Sequence, residues 1–139
     1  MPKKYGHCAL CGKCGELTFE HIPPKSAFNK TPVKPVTGKT WLSNPNTLPW
    51  DLSNMPYVHL QKGMGLWSLC KQCNNFTGTM YGTAYRDFAE SIAKTLEIAI
   101  KTGDKGVEIS RIYPLRIAKQ ILSMFCSVNP PDMFNLDDL

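Results

Sequence analysis

Two Cys-x-x-Cys units, Cys8-Ala9-Leu10-Cys11 and Cys70-Lys71-Gln72-Cys73, constrain this chain more than any other feature. Two residues between cysteines let both sulfurs turn onto one ion, and four thiolates in a tetrahedron are the structural preference of zinc. The separation exceeds that of a compact zinc ribbon, so the ion closes a large loop and contributes folding energy directly. Cys11-Gly12-Lys13-Cys14 is an overlapping unit of the same kind, so either Cys8 or Cys14 could be the spare. Cys8 and Cys11 are favoured because Gly12 then follows the second ligand and can supply the tight turn. A thioredoxin-like redox pair would need a surrounding βαβ pattern, which is absent. Cys126 lies on an apolar helix face and is expected in the core.

The start of the chain is basic, with no apolar stretch behind it, and no run approaches the ~18 apolar residues that span a bilayer. A cytoplasmic location without membrane contact is therefore expected, where paired cysteines are metal ligands more often than disulfides. Residues 1–86 carry 10 Lys+Arg against 3 Asp+Glu, and residues 87–139 carry 6 against 8. The positive charge thus shares a half with the cysteines and histidines, as a site for a polyanion needs, although a solvated lysine-rich surface would give the same count.

The 139 residues predict a single domain. Leu17-Thr18-Phe19-Glu20-His21-Ile22 reads as a strand stopped by Pro23 and Pro24, neither of which can donate to a ladder. Residues 29–66, rich in Pro, Gly, Asn and Thr, read as a long irregular insertion with at most a short hairpin. The apolar Leu66–Leu69 leads into the second knuckle. A helix then starts between Asn74 and Gly78 and runs to Lys101. Tyr81, Tyr85, Phe88, Ile92, Leu96 and Ala99 form one stripe on it, and Gly103 stops it. Gly106–Ile112 resembles a short strand. Pro114 opens a last helix whose apolar face carries Ala118, Ile121, Leu122 and Phe125.

Glu20-His21 stands at the end of the first strand. Neighbouring strand residues point to opposite faces, so the pair can share a site only where the strand ends or bends, which the prolines allow. With Cys8-x-x-Cys11, Glu20-His21-Ile22-Pro23 and Cys70-x-x-Cys73-Asn74, the chain resembles the HNH endonucleases, or ββα-metal nucleases, over residues 7–86. The zinc-stabilised members carry two such knuckles around an acid-His-hydrophobic-Pro strand, with His or Asn after the last cysteine.

The resemblance implies an α+β fold: a ββα-metal, treble-clef-like core stapled by zinc, then C-terminal helices over residues 79–139. It implies that His21 is a general base, and that Glu20 and Asn74 bind one divalent cation, Mg²⁺ or alternatively Mn²⁺ or Ni²⁺, at a scissile phosphate of DNA. A neutral histidine takes a proton near pH 7, and oxygen ligands suit such hard cations. Lys71, Arg86 and Lys25 are candidates to contact nucleic acid, with Arg86 equally readable as a surface charge. Asn75 is a second candidate beside Asn74. His59 could face the metal or phosphate, and His7 reads as a surface group or one supporting the knuckle.

One departure stands out: Gly65 occupies the place of the family's middle Asn, which braces the catalytic loop, with Asn46 or Asn54 as possible substitutes. Two other functions fit the same residues. One is a zinc-organised nucleic-acid-binding module that cuts nothing, and the other is the nuclease part of a longer defence effector. The apolar helix faces exceed what so small a core needs, which suggests a homodimer.

Overall fold

The structure, a computed structural model, describes residues 3–44, 51, 55–103, 109 and 112–129. Three antiparallel strands form one sheet in the order β1-β2-β3: β1 Lys4–His7, β2 Cys14–His21 and β3 Gly65–Cys70. β2 is longer than its apolar run because its first half pairs with β1, a strand too short and polar to announce itself. Tyr5 stands opposite Glu16 there, and His7 opposite Cys14. β2 ends at His21, before the cis Ile22–Pro23 peptide. Its register with β3 runs from Leu17↔Cys70 and Thr18↔Leu69 to Phe19↔Trp67 and His21↔Gly65, which leaves Ser68 as the extra residue of a bulge. Such bulges re-aim side chains and are frequent beside active sites.

α2 (Lys71–Thr77) begins at the second knuckle, earlier than the apolar stripe suggests. It widens into one π turn over Gly78–Gly82 and continues as α3 (Thr83–Thr102). Gly103, at φ +71°, ends α3 in the left-handed conformation that glycine adopts without penalty, donating its amide to the Ala99 carbonyl. The stripe on this helix is only half covered: Tyr81, Tyr85, Phe88 and Ile92 are partly buried, whereas Leu96 is 48% exposed.

Among its described residues the insertion contains one short helix, α1 (Gly38–Leu42), capped by the Thr37 hydroxyl. It is tied across its base by Val33 and Leu60, which exchange both backbone hydrogen bonds, so the run around His59 forms a single bridge rather than a strand. Most of Gly106–Ile112, together with Asn46 and Asn54, lies outside the described residues.

α4 (Pro114–Val128) overturns one expectation. Its buried positions are Ile117, Gln120, Ser123 and Ser127, while Ile121, Leu122 and Phe125 are 47%, 63% and 65% exposed and Ala118 is exposed too. Periodicity identified the apolar face correctly, but the helix docks through its polar stripe because that stripe meets buried polar groups described below. Cys126 is accordingly only partly buried, at the edge of a cavity, and not a core residue.

The buried centre is small: Cys8, Leu17 and Leu69, with Trp67 packed against them. It lies directly beneath the knuckles. No helix among the described residues is long and apolar enough to cross a membrane.

Candidate metal centre and active site

The first knuckle is a turn between β1 and β2. The Gly12 amide donates to the Cys8 carbonyl, and Gly12 sits at φ +70°. The Ala9 amide donates to the Ser68 carbonyl, which fastens this turn to β3. Cys70 ends β3 and Cys73 lies in the first turn of α2, so strand and helix deliver the second pair. The sulfurs of Cys8, Cys11, Cys70 and Cys73 all lie within 4.8 Å of one another, a group that could hold one metal ion. Cys14 is exposed as the first residue of β2 and lies outside the group.

The electrostatics of the group suit a cation. Burial works against the Cys8 thiolate, yet the amides around Cys11, Cys70 and Leu10 and the Cys11 thiol bring it down to about 6. Burial and the crowding of the other three sulfurs push Cys73 well above the ordinary thiol range. Four thiolates this close are compatible only around a positive ion. His7 supports the turn from outside, donating from Nδ1 to the Gly12 carbonyl over 3.1 Å.

A second site opens on the other side of α2. A cavity of about 250 Å³ is lined by Glu20, His21, Lys25, Asn74, Arg86 and Gln120, among others. His21, as the last strand residue, reaches this cavity together with its neighbour Glu20. Phe19 meets the His21 imidazole edge to face at 5.1 Å and restrains it.

Glu20 is 6% exposed, and its Oε2 accepts a 2.6 Å hydrogen bond from Ser127 of α4. Burial raises its carboxyl above the ordinary range, and the hydroxyls of Ser127 and Ser68 pull it back only in part. No cationic side chain pairs with it among the described residues. A buried carboxylate without a counter-charge calls for a proton or a cation.

The amide of Asn74 is oriented by its surroundings. Its Nδ2 donates to Thr18 Oγ1 at 2.9 Å and to the Phe19 carbonyl. Thr18 spends its own proton on the Leu69 carbonyl, so both partners can only accept, and Asn74 Oδ1 must face away from them. Gln120 is 2% exposed, and its Oε1 has no hydrogen-bond partner among the described residues. A carboxylate, an oriented amide and an orphaned amide oxygen therefore line one cavity, a donor set that fits a hard divalent cation.

The remaining candidates separate. Lys25 lines the cavity and is exposed. Arg86 lines it too, but Asp87 Oδ1 takes two of its nitrogens, at 2.9 and 2.6 Å, and holds its guanidinium above even its usual high range. Lys71 and Asn75 are exposed on α2 and are not among the residues lining this cavity. His59 lines a different cavity, which Phe19 and His21 also line.

At Gly65, where the resemblance would put an Asn, there is no room for a side chain: a Cβ would lie 2.3 Å from the Glu20 carbonyl oxygen. Asn29, which sequence reasoning missed, ties two loops together here. Buried to 8% exposure, it donates from Nδ2 to the carbonyls of Pro23 and Met64, each at 2.6 Å, and accepts from the Met64 amide. It thereby ties the loop after His21 to the approach of β3. Its contacts reach 35 residues along the chain, and the only local signal for them is Gly63, whose φ of +87° lets the backbone pass against Asn29. Comparison of the chain with protein-family models, with curated proteins and with solved structures returned no match in any of the three.

Proposed function

We propose that this chain is a metal-dependent endonuclease of the HNH type that hydrolyses phosphodiester bonds in DNA, with a structural zinc in the four-cysteine group. The observation that carries the reading is the convergence of Glu20, His21 and Asn74 on one cavity that Lys25 and Arg86 also line. Each group has a distinct task. His21 takes a proton from the attacking water. The water oxygen bonds to phosphorus as the bond to the leaving oxygen breaks. A divalent cation such as magnesium, manganese or nickel, held by Glu20, Asn74 and Gln120, would polarise the phosphoryl oxygen and stabilise the leaving group.

Ser127 fixes the Glu20 carboxylate, and Asn29 fixes the loop that carries His21 into position. Lys25 attracts the phosphate backbone, and Arg86 retains Nη1 for a phosphate while Asp87 holds its other two nitrogens.

The test is incubation of the purified, zinc-loaded protein with supercoiled plasmid in magnesium, manganese or nickel, beside a His21→Ala variant of equal zinc content. Metal-dependent nicking or linearisation that disappears in the variant is the expected result. Salt-sensitive DNA binding without cleavage in any metal would replace this reading with a non-catalytic nucleic-acid-binding module.

A further inference from the structure

His21 belongs to two cavities. One is the site just described; the other, a cavity of about 400 Å³, is lined by Phe19, His21, His59, Gln61, Lys62 and Trp67, among others. Phe19 and His21 line both, so the two spaces adjoin at the imidazole. Their chemistry differs. The first holds the oxygen ligands and cationic groups. The second is walled by rings: Phe19 and Trp67 are paired across β2 and β3 and meet edge to face at 5.8 Å, and Phe19 is 37% exposed. Its rim is polar. Gln61 Nε2 lies 3.4 Å from His59 Nδ1, both residues are exposed, and Lys62 stands beside them. No acidic side chain among the described residues lines it.

Resting on the nuclease reading, we propose that this second cavity receives the base of an unpaired deoxynucleotide next to the scissile phosphate, so that the preferred substrate is single-stranded or locally opened DNA. In a duplex the base faces are stacked away and only their edges are offered in the grooves. A ring-walled cavity can use a base only after it has left the stack, as in proteins that bind single strands by stacking. The volume is that of a site for a small ligand. The cationic Lys62, with no acidic side chain beside it among the described residues, suits the flanking phosphate, and the amide and imidazole at the rim suit the hydrogen-bonding edge of a base. A base seated there would hold the adjacent phosphodiester at His21, where the two cavities meet, so positioning and chemistry would share one side chain.

Binding tests this without requiring cleavage. In buffer free of added divalent cations, fluorescence anisotropy of a labelled DNA 12-mer would be compared for a single strand, a duplex of the same sequence and a single strand with abasic sugars. The zinc-loaded full chain would be tested beside Trp67→Leu, His59→Ala and Gln61→Ala. Trp67 also packs on the core, so the two exposed positions keep the test meaningful if that variant misfolds. The expected result is that the single strand binds at least tenfold tighter than the duplex. Abasic sugars, and each correctly folded variant, should lose roughly 5- to 100-fold, the loss of one base–aromatic stack or its anchoring edge. Equal affinity for duplex and single strand, or unchanged single-strand binding in folded His59→Ala and Gln61→Ala, overturns the proposal. If the plasmid assay shows no cleavage while this binding pattern holds, the nuclease reading falls and the base site stands. Plasmid cleavage without the pattern removes the base site alone.

Discussion

Glu20 and His21 are adjacent in sequence yet live in different environments, and their substitutions should separate accordingly. His21 is half-buried beside Phe19. Its replacement by alanine is expected to lower cleavage roughly 10²- to 10⁴-fold, the usual contribution of a general base, with zinc content unchanged. Glu20 is buried and its carboxyl is raised by that burial. Without a bound cation, the folded chain therefore keeps a proton that the unfolded chain has already released, so stability falls as pH rises through the ordinary carboxylate value toward the folded one. Glu20→Gln keeps an acceptor for Ser127 and carries no charge. It should abolish cleavage yet raise Tm by roughly 2–6 °C at pH 7 without added magnesium. At about pH 3, well below the ordinary carboxylate value, the carboxyl is neutral in both states and the gain should vanish. Thermal melts at the two pH values check this, and a destabilised Glu20→Gln at pH 7 would show that the carboxylate has a counter-charge. The four-cysteine group was legible because two Cys-x-x-Cys units announce one metal site, although Cys14 left the choice of its first ligand open. Asn29 was not, because its role depends on the Met64 backbone 35 residues away.

Among the elements, α4 is where periodicity misleads. Its amphipathic pattern is real, but pattern says which side chains share a face, not which face the rest of the molecule will accept. The acceptor here is Glu20, met by Ser127, together with the cavity into which Gln120 is set. A polar helix face buried this way is unfavourable unless something uses it. Gln120→Leu removes an unsatisfied buried oxygen of similar volume, a change that usually stabilises or is neutral. It is therefore expected to hold or raise Tm while weakening Mn²⁺ binding, read by electron paramagnetic resonance, at least tenfold. A structural role for the amide would instead lower Tm and leave Mn²⁺ affinity alone. The other face of α4 exposes Leu115, Ile121, Leu122 and Phe125. Apolar patches of this kind mark association surfaces. We expect concentration-dependent dimers in sedimentation equilibrium and their loss in Phe125→Glu; a wild-type chain that stays monomeric at high concentration would count against it.

At the scale of the whole molecule, the small apolar cluster of Cys8, Leu17 and Leu69 lies against the four-cysteine group, and we expect an ion held there to contribute folding energy that so small a cluster does not. Removal of the metal by a strong chelator, or Cys70→Ser, should unfold the sheet, seen as loss of cooperative melting in circular dichroism; zinc alone should restore the chelated protein. The knuckles also decide which covalent bonds the molecule can spare. β2 and β3 are joined by hydrogen bonds and flanked by the four cysteines that could hold one ion, while α1, between them in sequence, buries none of its residues. A protease cut within α1 should thus leave two peptides that travel as one body in size-exclusion chromatography and part only when the metal is withdrawn. The chain would then be a split protein with an ion as its clasp, its two parts held together on condition of metal supply.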